Sequence, residues 1–529
     1  MLEGGQGNDE LHGENGDDWL HGGQGDDRLH GGSGNDTLDA GTDANYDNIN
    51  PGSGDDLIRM SGLNGFWDTV MFAGGGSKTI TGTGPGNDAG GILVGHQMNF
   101  ADQRSGVTLD LSTGTGSNAE LTIDFSTALV FNVIAGSGYA DSFTGGNAAF
   151  DHWEQFTGYA GNDTFNGGDG IDAVSFLPET ETGYWDVATT VNYIGDRGAV
   201  VDLGLGTGTD TYGDTDTFIS IEALIGTNLG DNFTGGAEEN FFIGNDGDDT
   251  LNGGDGDDNF LGGLGMDVID GGAGTDMISF AREISRLGGT QGVTVNMATG
   301  TTIDTFGNTD TISNVETIIG TDFIDRFTGG AAAERFSGLL GNDRFAMGGG
   351  DDTAFGDAGN DSLNGGAGND SLVGGSGIDT LNGGDGNDEL SGNDGNDTLN
   401  GMAGNDLIYG GIGNDSASGN NGNDTLFGGD GVDTLRGGAG DDGLAGQAGP
   451  DSLLGEEGSD TLFGGEDCSQ CNDKWAYGSG DSDCALCPAV EPWNYGPGTG
   501  GVAAVVCYYH GKCTTPTPGH PSPCHCGSA

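Results

Sequence analysis

An apolar residue recurs every nine positions between Phe336 and Leu462, and this period constrains the fold of the chain more than any other feature. The series runs Phe336, Phe345, Leu363, Leu372, Leu381, Leu390, Leu399, Ile408, Leu426, Leu435, Leu444, Leu453 and Leu462, with Ala354 and Ala417 as its small members. Two residues before each step from Phe345 onward stands an Asp: Asp343, Asp352, Asp361, Asp370, Asp379, Asp388, Asp397, Asp406, Asp415, Asp424, Asp433, Asp442, Asp451 and Asp460. A Gly stands two residues before every one of these Asp residues, and five before all but Asp352, where Met347 intervenes. Repetition of this fidelity marks a stacked solenoid rather than an ordinary globular core. The unit is Gly-Gly-x-Gly-x-Asp-x-Leu-x, and Gly383–Ser391 is a clean copy.

Each part of the unit has a physical role. Glycines permit positive φ and close backbone approach in a tight turn. The x-Leu-x segment reads as a short strand with one inward apolar side chain. The unit resembles the RTX (repeats-in-toxin) family of hemolysin-type calcium-binding repeats. The resemblance implies an all-β fold, a right-handed parallel β-roll solenoid in which two units make one coil, interleaved with longer β units. Coils stack at about 4.8 Å, so one Leu alone buries little and stacking supplies the core. An Asp then lies over its counterpart two units on, Asp361 over Asp379 and Asp370 over Asp388. Aligned carboxylates repel unless a cation sits between them. Ca2+ takes about six to eight oxygens, which Asp carboxylates and turn carbonyls can supply. A metal-free Gly/Asp linker would need no fixed Leu register.

Charge supports a cation-dependent chain. Among 529 residues, 83 are acidic and 13 basic, for a formal charge of −70. That balance excludes nucleic-acid binding, which needs a basic surface, and repels anionic membranes. Self-repulsion and 114 glycines oppose any compact calcium-free state. The expectation is a chain disordered without calcium that folds when calcium binds. Pairing Asp residues two units apart gives roughly sixteen Ca2+ sites, enough to take the charge from −70 to about −38. Extracellular calcium modules bind in the range of about 0.1–1 mM, so such a chain folds outside the cell.

Residues 1–59 form a short nonapeptide block. Leu2, Leu11, Leu20, Leu29 and Leu38 keep the step, with Asp9, Asp18, Asp27 and Asp36 at the ligand position. The register slips by two after Leu38 and resumes at Ile49 and Ile58, with Asp47 and Asp56 as secondary candidates. Solenoids normally open with a polar cap, so a repeat in register from Leu2 points to a longer parent protein. Met1-Leu2-Glu3 does not open a signal peptide, and no apolar run is long enough to span a membrane. The longest, Ala128–Ala135, is interrupted by Asn132 and reads as a strand.

Residues 60–330 carry a longer repeat. Asp141-Ser-Phe-Thr-Gly-Gly146, Asp231-Asn-Phe-Thr-Gly-Gly236 and Asp325-Arg-Phe-Thr-Gly-Gly330 end three similar units. Each is preceded by an alternating stretch, Val107–Leu111, Val200–Leu203 or Val293–Met297, which argues for half-buried strands. Interleaved nonapeptides contribute Asp249, Asp258, Asp267 and Asp276 as ligand candidates, with Asp163 and Asp172 as secondary ones. Trp153, Tyr184 and Trp185 could stack on sugars if exposed; burial in the β core is their commoner use.

The main array occupies 331–465. All eight cysteines fall in the tail, 466–529. Cys468, Cys471, Cys484 and Cys487 read C-x2-C-x12-C-x2-C, near zinc-ribbon spacing, and His510, His520 and His525 could add ligands. An even cysteine count in a secreted chain argues for disulfides instead. A tail without ordered structure, as the Pro516–Pro523 cluster suggests, is the third reading. The resemblance implies nearly cysteine-free relatives, many ending in an uncleaved export signal, and this tail matches neither habit.

No H-E-x-x-H helix, G-x-S-x-G elbow or Walker loop occurs, so no enzyme is announced in this chain. The expected function is a structural, secretion-associated calcium module of an exported toxin, enzyme or adhesin. The resemblance implies export through a type I secretion channel and a secreted or cell-surface bacterial protein. Two alternatives stand beside it: the C-terminal portion of a secreted protease or lipase with its catalytic domain upstream, and a carbohydrate-binding adhesin segment at 60–330.

Overall fold

The computed structural model describes residues 1–41, 45–61, 68–72, 74–83, 96–101, 103–125, 131–146, 153–177, 184–186, 191–193, 195–281, 288–465 and 504–505. Every element among them is a β-strand, apart from helical positions at Leu177 and Ala281. The chain divides into two units, Met1–Leu339 and Leu340–Ala529.

The second unit is the more regular. One strand series comprises Arg344–Gly349, Ser362–Ala367, Thr380–Asp385, Thr398–Ala403, Ser416–Asn421, Thr434–Ala439 and Ser452–Glu457. The strands between them, from Thr353–Ala358 to Thr461–Phe463, make a second series. Neighbours within each series pair in parallel, Leu363 with Leu381 and Leu381 with Leu399, and Leu372 with Leu390 and Leu390 with Ile408. Two nonapeptides therefore make one coil, and the fold is an all-β parallel roll.

The strands are longer than the x-Leu-x segment. They run on through the Gly-Gly-x that follows, as in Thr380–Asp385, because the parallel register continues past Gly383. Leu381 and Gly383 are both buried. Leu363, Leu372, Leu381, Leu390, Leu399, Leu426, Leu435 and Leu444 are fully buried, each contributing about 1.5–3 kcal/mol. The second positive-φ residue of each turn, such as Gly377 at 137° or Gly386 at 138°, is always Gly in this array. A Cβ on Gly377 would overlap the Gly359 carbonyl of the preceding coil. The first positive-φ position lies in the milder left-handed region wherever it is not Gly, and accepts Asp357 (66°), Asn393 (69°), Met402 (81°) and Gln447 (71°).

The first unit uses the same coil with two departures. After Leu38 the offset between coils grows by two, so that Arg28 pairs with Asn48 and Thr37 with Leu57. The second departure is a set of three antiparallel meanders. They are Thr108–Asp110, Thr115–Ser117 and Leu121–Phe125; Val200–Asp202, Thr207–Thr209 and Thr215–Ile219; and Thr294–Asn296, Thr301–Ile303 and Thr309–Ser313. The first strand of each pairs in parallel with the strand of an Asp-x-Phe-Thr-Gly-Gly segment. The last pairs in parallel with an earlier coil: Leu121–Phe125 with Gly76–Thr83, Thr215–Ile219 with Thr164–Asn166, and Thr309–Ser313 with Val268–Ala273. Each long unit thus adds strands to the sheet without interrupting it. Gly114, Gly206 and Gly300, at φ 71°, 69° and 65°, turn the first hairpin of each meander. The alternating stretches read from the sequence are the first strands; the two that follow each are additional. The core of the middle region is aromatic, with Phe143, Phe156, Phe165, Phe218, Phe176, Phe233, Phe242 and Phe260 in ring-to-ring contact.

Candidate calcium ladder

In the second unit the Asp residues stand where the strands begin, and from Asp361 onward each accepts a hydrogen bond from the coil before it. The Asp343 amide donates to Asp361 Oδ1 at 2.7 Å, Asp361 to Asp379 Oδ1 at 2.7 Å, and Asp379 to Asp397 Oδ1 at 2.8 Å. The alternate series does the same from Asp352 to Asp370, Asp388, Asp406, Asp424, Asp442 and Asp460. Asp397, Asp415, Asp433 and Asp451 complete the first series. The Asp carbonyls join the stack as well, Asp361 O accepting from Thr380 N at 2.8 Å.

One oxygen of each carboxylate is thereby satisfied. The other, Oδ2, is buried without a hydrogen-bond partner at Asp361, Asp370, Asp379, Asp388, Asp397, Asp406, Asp415, Asp424, Asp433, Asp442 and Asp451. These oxygens point at the glycine five residues earlier. A Cβ built on Gly356 would lie 2.5 Å from both Asp361 Oδ2 and the Gly374 carbonyl of the next coil. The same convergence recurs at Gly365, with Asp370 Oδ2 and Gly383 O, and at Gly392, with Asp397 Oδ2 and Gly410 O. The missing side chain leaves a cradle in which the unpartnered carboxylate oxygen and a glycine carbonyl oxygen converge.

The electrostatics make that cradle costly without a counter-charge. Burial pushes the Asp361 and Asp406 carboxyls up to about 7, and like-charged neighbours on the ladder add to the rise. Burial likewise takes Asp370, Asp397, Asp415, Asp433 and Asp442 up to about 6, against the lowering effect of their backbone hydrogen bonds. Buried unpaired carboxylates with aligned carbonyls are a hard, all-oxygen donor set, which suits Ca2+.

The sequence profile described as the RTX calcium-binding nonapeptide repeat (4 copies) matches residues 2–46, 155–174, 225–260, 252–281, 311–345, 348–381, 382–417, 409–444, 418–453 and 444–467, together more than half of the chain. The chain belongs to the RTX calcium-binding repeat family. It is a calcium-binding β-roll module. A comparison with curated proteins gives no match. No helix among the described residues is long and apolar enough to cross a membrane.

The first unit holds further RTX ladders. Asp9 and Asp27 join through the Asp9 amide, as do Asp18 and Asp36, Asp27 and Asp47, and Asp36 and Asp56. Asp249 pairs with Asp267 and Asp258 with Asp276. Oδ2 is buried and unpartnered at Asp9, Asp36, Asp249, Asp258, Asp267 and Asp276, and both oxygens are at Asp172. Burial takes Asp249 up to about 9 and Asp172 to about 8, with Glu154 and Glu222 adding to the latter. Asp163 donates its amide to Asp216 Oδ1 at 2.8 Å.

Several ladder members were not among the sequence candidates. Asp68, Asp216 and Asp310 accept from the amides of Asp47, Asp163 and Asp267. Glu222 and Glu316 accept from Asp172 and Asp276. Each stands two residues before a buried apolar residue: Val70, Phe218, Ile312, Leu224 and Ile318. An acid-x-apolar search without the glycines would have found them.

The long units treat their carboxylates differently. Asp231 Oδ2 accepts from the Thr227 amide at 2.7 Å, and its Oδ1 accepts from Ala199 N at 2.5 Å, with the Thr227 hydroxyl in reach of both. Asp141 is held in the same way by Ser137 and Val107, and Asp325 by Thr321 and Val293. In these three the chain itself solvates the carboxylate, through a Ser or Thr four residues earlier in place of the repeat's glycine.

A second, outer ladder also escaped the sequence reading. Where the residue before the Asp is Asn or Asp, its side chain accepts from the coil that follows: Asn369 Oδ1 from Asn387 N at 2.9 Å, Asn387 Oδ1 from Asn405 N at 2.7 Å, and Asn405 Oδ1 from Asn423 N at 2.7 Å. Recurrent Gly-Asn-Asp was its signal. On the surface of the first block, His12 and His30 stack at 4.7 Å beside Glu10. Cys468, Cys471, Cys484, Cys487, His510, His520 and His525, and the side chains of Trp153, Tyr184 and Trp185, lie outside the described residues.

Proposed function

We propose that this β-roll is a non-catalytic folding module of an exported bacterial protein, disordered in a low-calcium cytosol and folded by Ca2+ outside the cell. The observation that carries the reading is the file of buried carboxylates whose second oxygen has no donor. Asp343, Asp352, Asp361, Asp370, Asp379, Asp388, Asp397, Asp406, Asp415, Asp424, Asp433, Asp442, Asp451 and Asp460 would hold calcium in the second unit, in twelve successive pairs. Asp9, Asp18, Asp27, Asp36 and Asp47, and the interleaved Asp163, Asp172, Asp249, Asp258, Asp267 and Asp276, would do so in the first. Calcium bound there supplies the positive charge that the buried carboxylates lack. In this reading 1–59, 331–465 and the nonapeptides within 60–330 carry the calcium, and the long units space them. Passage through a type I channel fits a chain that stays unfolded until it meets calcium, and rests on the family. Far-UV circular dichroism of the full chain at neutral pH, titrated from chelator to about 10 mM Ca2+, tests this over the range of extracellular modules. A cooperative gain of β-structure, reversed by chelator, is expected. A spectrum already β-rich in chelator, or one still disordered at saturation, would remove calcium as the folding switch.

A further inference from the structure

One rung of the first block carries a cation of its own. Along the series Asp18, Asp36 and Asp56, each amide donates to the next carboxylate, Asp18 N to Asp36 Oδ1 at 2.8 Å and Asp36 N to Asp56 Oδ1 at 2.7 Å. The next coil pairs Asp56 with Lys78 and Ile58 with Ile80. Lys78-Thr79-Ile80 is therefore the repeat's Asp-x-apolar step with Lys in the place of Asp, and Ile80 is buried like Ile58.

The Lys78 side chain turns back into the ladder. Its Nζ lies 2.6 Å from Asp56 Oδ2, 2.7 Å from the Gly54 carbonyl and 3.0 Å from the Gly75 carbonyl. Both side chains of the ion pair are 0% exposed. An ammonium has three N–H donors and no acceptor, and three oxygens receive them here. Carboxylate Oδ2 is the acceptor left without a hydrogen-bond partner along the ladders elsewhere. Asp36 Oδ2, one coil earlier, is buried with no partner, whereas Asp56 Oδ2 has Lys78. A buried ion pair recovers its desolvation cost only when the remaining polar atoms are also bonded, and at Lys78 they are.

We propose that the Lys78 ammonium is a tethered substitute for Ca2+ at the Asp56 rung, so that this ladder ends on a position that takes no metal. The inference rests on the calcium reading of the other rungs. It implies that the strand pair Asp56–Ser61 and Gly76–Thr83, where the first nonapeptide block meets the first long unit, holds its charge balance at any calcium concentration.

Two measurements on the full chain test it. Native mass spectrometry in calcium counts ions per chain for the wild type, Lys78→Asp, Lys78→Met and, as a control in the main array, Asp397→Asn. Lys78→Asp restores a carboxylate pair and should bind one Ca2+ more than wild type; Lys78→Met should bind no more than wild type. If Lys78→Asp gains no ion while Asp397→Asn loses at least one, the substitution idea is overturned and the calcium reading stands. If Asp397→Asn loses none, the calcium reading fails and takes this inference with it. Calcium anomalous scattering from wild-type crystals decides the matter even if Lys78→Asp does not fold. Peaks along Asp361–Asp451 with none at Asp56 are expected, and a calcium peak between Asp56 and Lys78 overturns the proposal.

Discussion

At a ladder position such as Asp397, substitution by Asn keeps the Oδ1 acceptor for the Asp379 amide and removes the charge that a cation would meet. A calcium ion held at a hundredfold excess over its dissociation constant adds about 2.7 kcal/mol. Asp397→Asn should therefore lower stability in calcium by about that amount for each rung lost, with no loss in chelator. Thermal unfolding in both conditions checks the difference. Thr227→Val should behave in the opposite way. It strips hydroxyl bonds from the buried Asp231 and from the Leu229 amide, at about 1–3 kcal/mol, and the loss should be the same with calcium or chelator. The Asp-Gly-Leu spacing disclosed the regular ladder because all its constraints fall within one unit. The partners of Asp231 include Ala199, thirty-two residues away, and no local period marks such a contact. Lys78 was hidden for the same reason, since only the pairing of coils shows that it occupies an Asp position.

Among elements, the nonapeptide strand tolerates little change at the second positive-φ glycine. Gly386, at 138°, would carry a Cβ into the Gly368 carbonyl. Gly386→Ala should cost at least about 2–3 kcal/mol from backbone strain alone. Gly288, at 84° with open space where a Cβ would stand, lies in the left-handed region without a clash, and Gly288→Ala should cost only about 1–2 kcal/mol. Chemical denaturation of the two variants in saturating calcium compares them. The parallel roll was legible because an inward Leu and a turn glycine recur at fixed intervals. The meanders were half legible: Val200–Asp202 alternates, but its partner Thr207–Thr209 is three polar or glycine residues. Pairing on both sides makes that segment a strand, and an isolated triplet has no period to betray it.

For the whole chain, a formal charge of −70 and many buried carboxylates set the conditions for folding. Burial raises Asp361, Asp370, Asp397 and Asp406 from 3.8 in the unfolded chain to about 6–7 in the fold. Protonation therefore favours the fold: their contribution is complete below about pH 3.8 and is lost as pH rises through 6–7. In chelator, acidification from pH 8 to about 5 should raise β content, and in calcium the same acidification should weaken binding because protons compete for the carboxylates. Circular dichroism against pH, with and without calcium, separates the two slopes. A charge count alone foretold repulsion but not which acids would be buried. The constant register of the second unit has one more consequence, for heredity. Because residue pairs there are offset by eighteen, a genetic deletion of Gly383–Asn400 removes one whole coil and sets Asn382 before Gly401 as it stood before Gly383. Both files of acids remain aligned. Such a shortened chain should fold in calcium with two fewer ions by native mass spectrometry, whereas a deletion one residue longer throws every later strand out of phase. The array can thus gain or lose length in whole coils by slipped recombination, and selection can tune its calcium capacity without inventing a new contact.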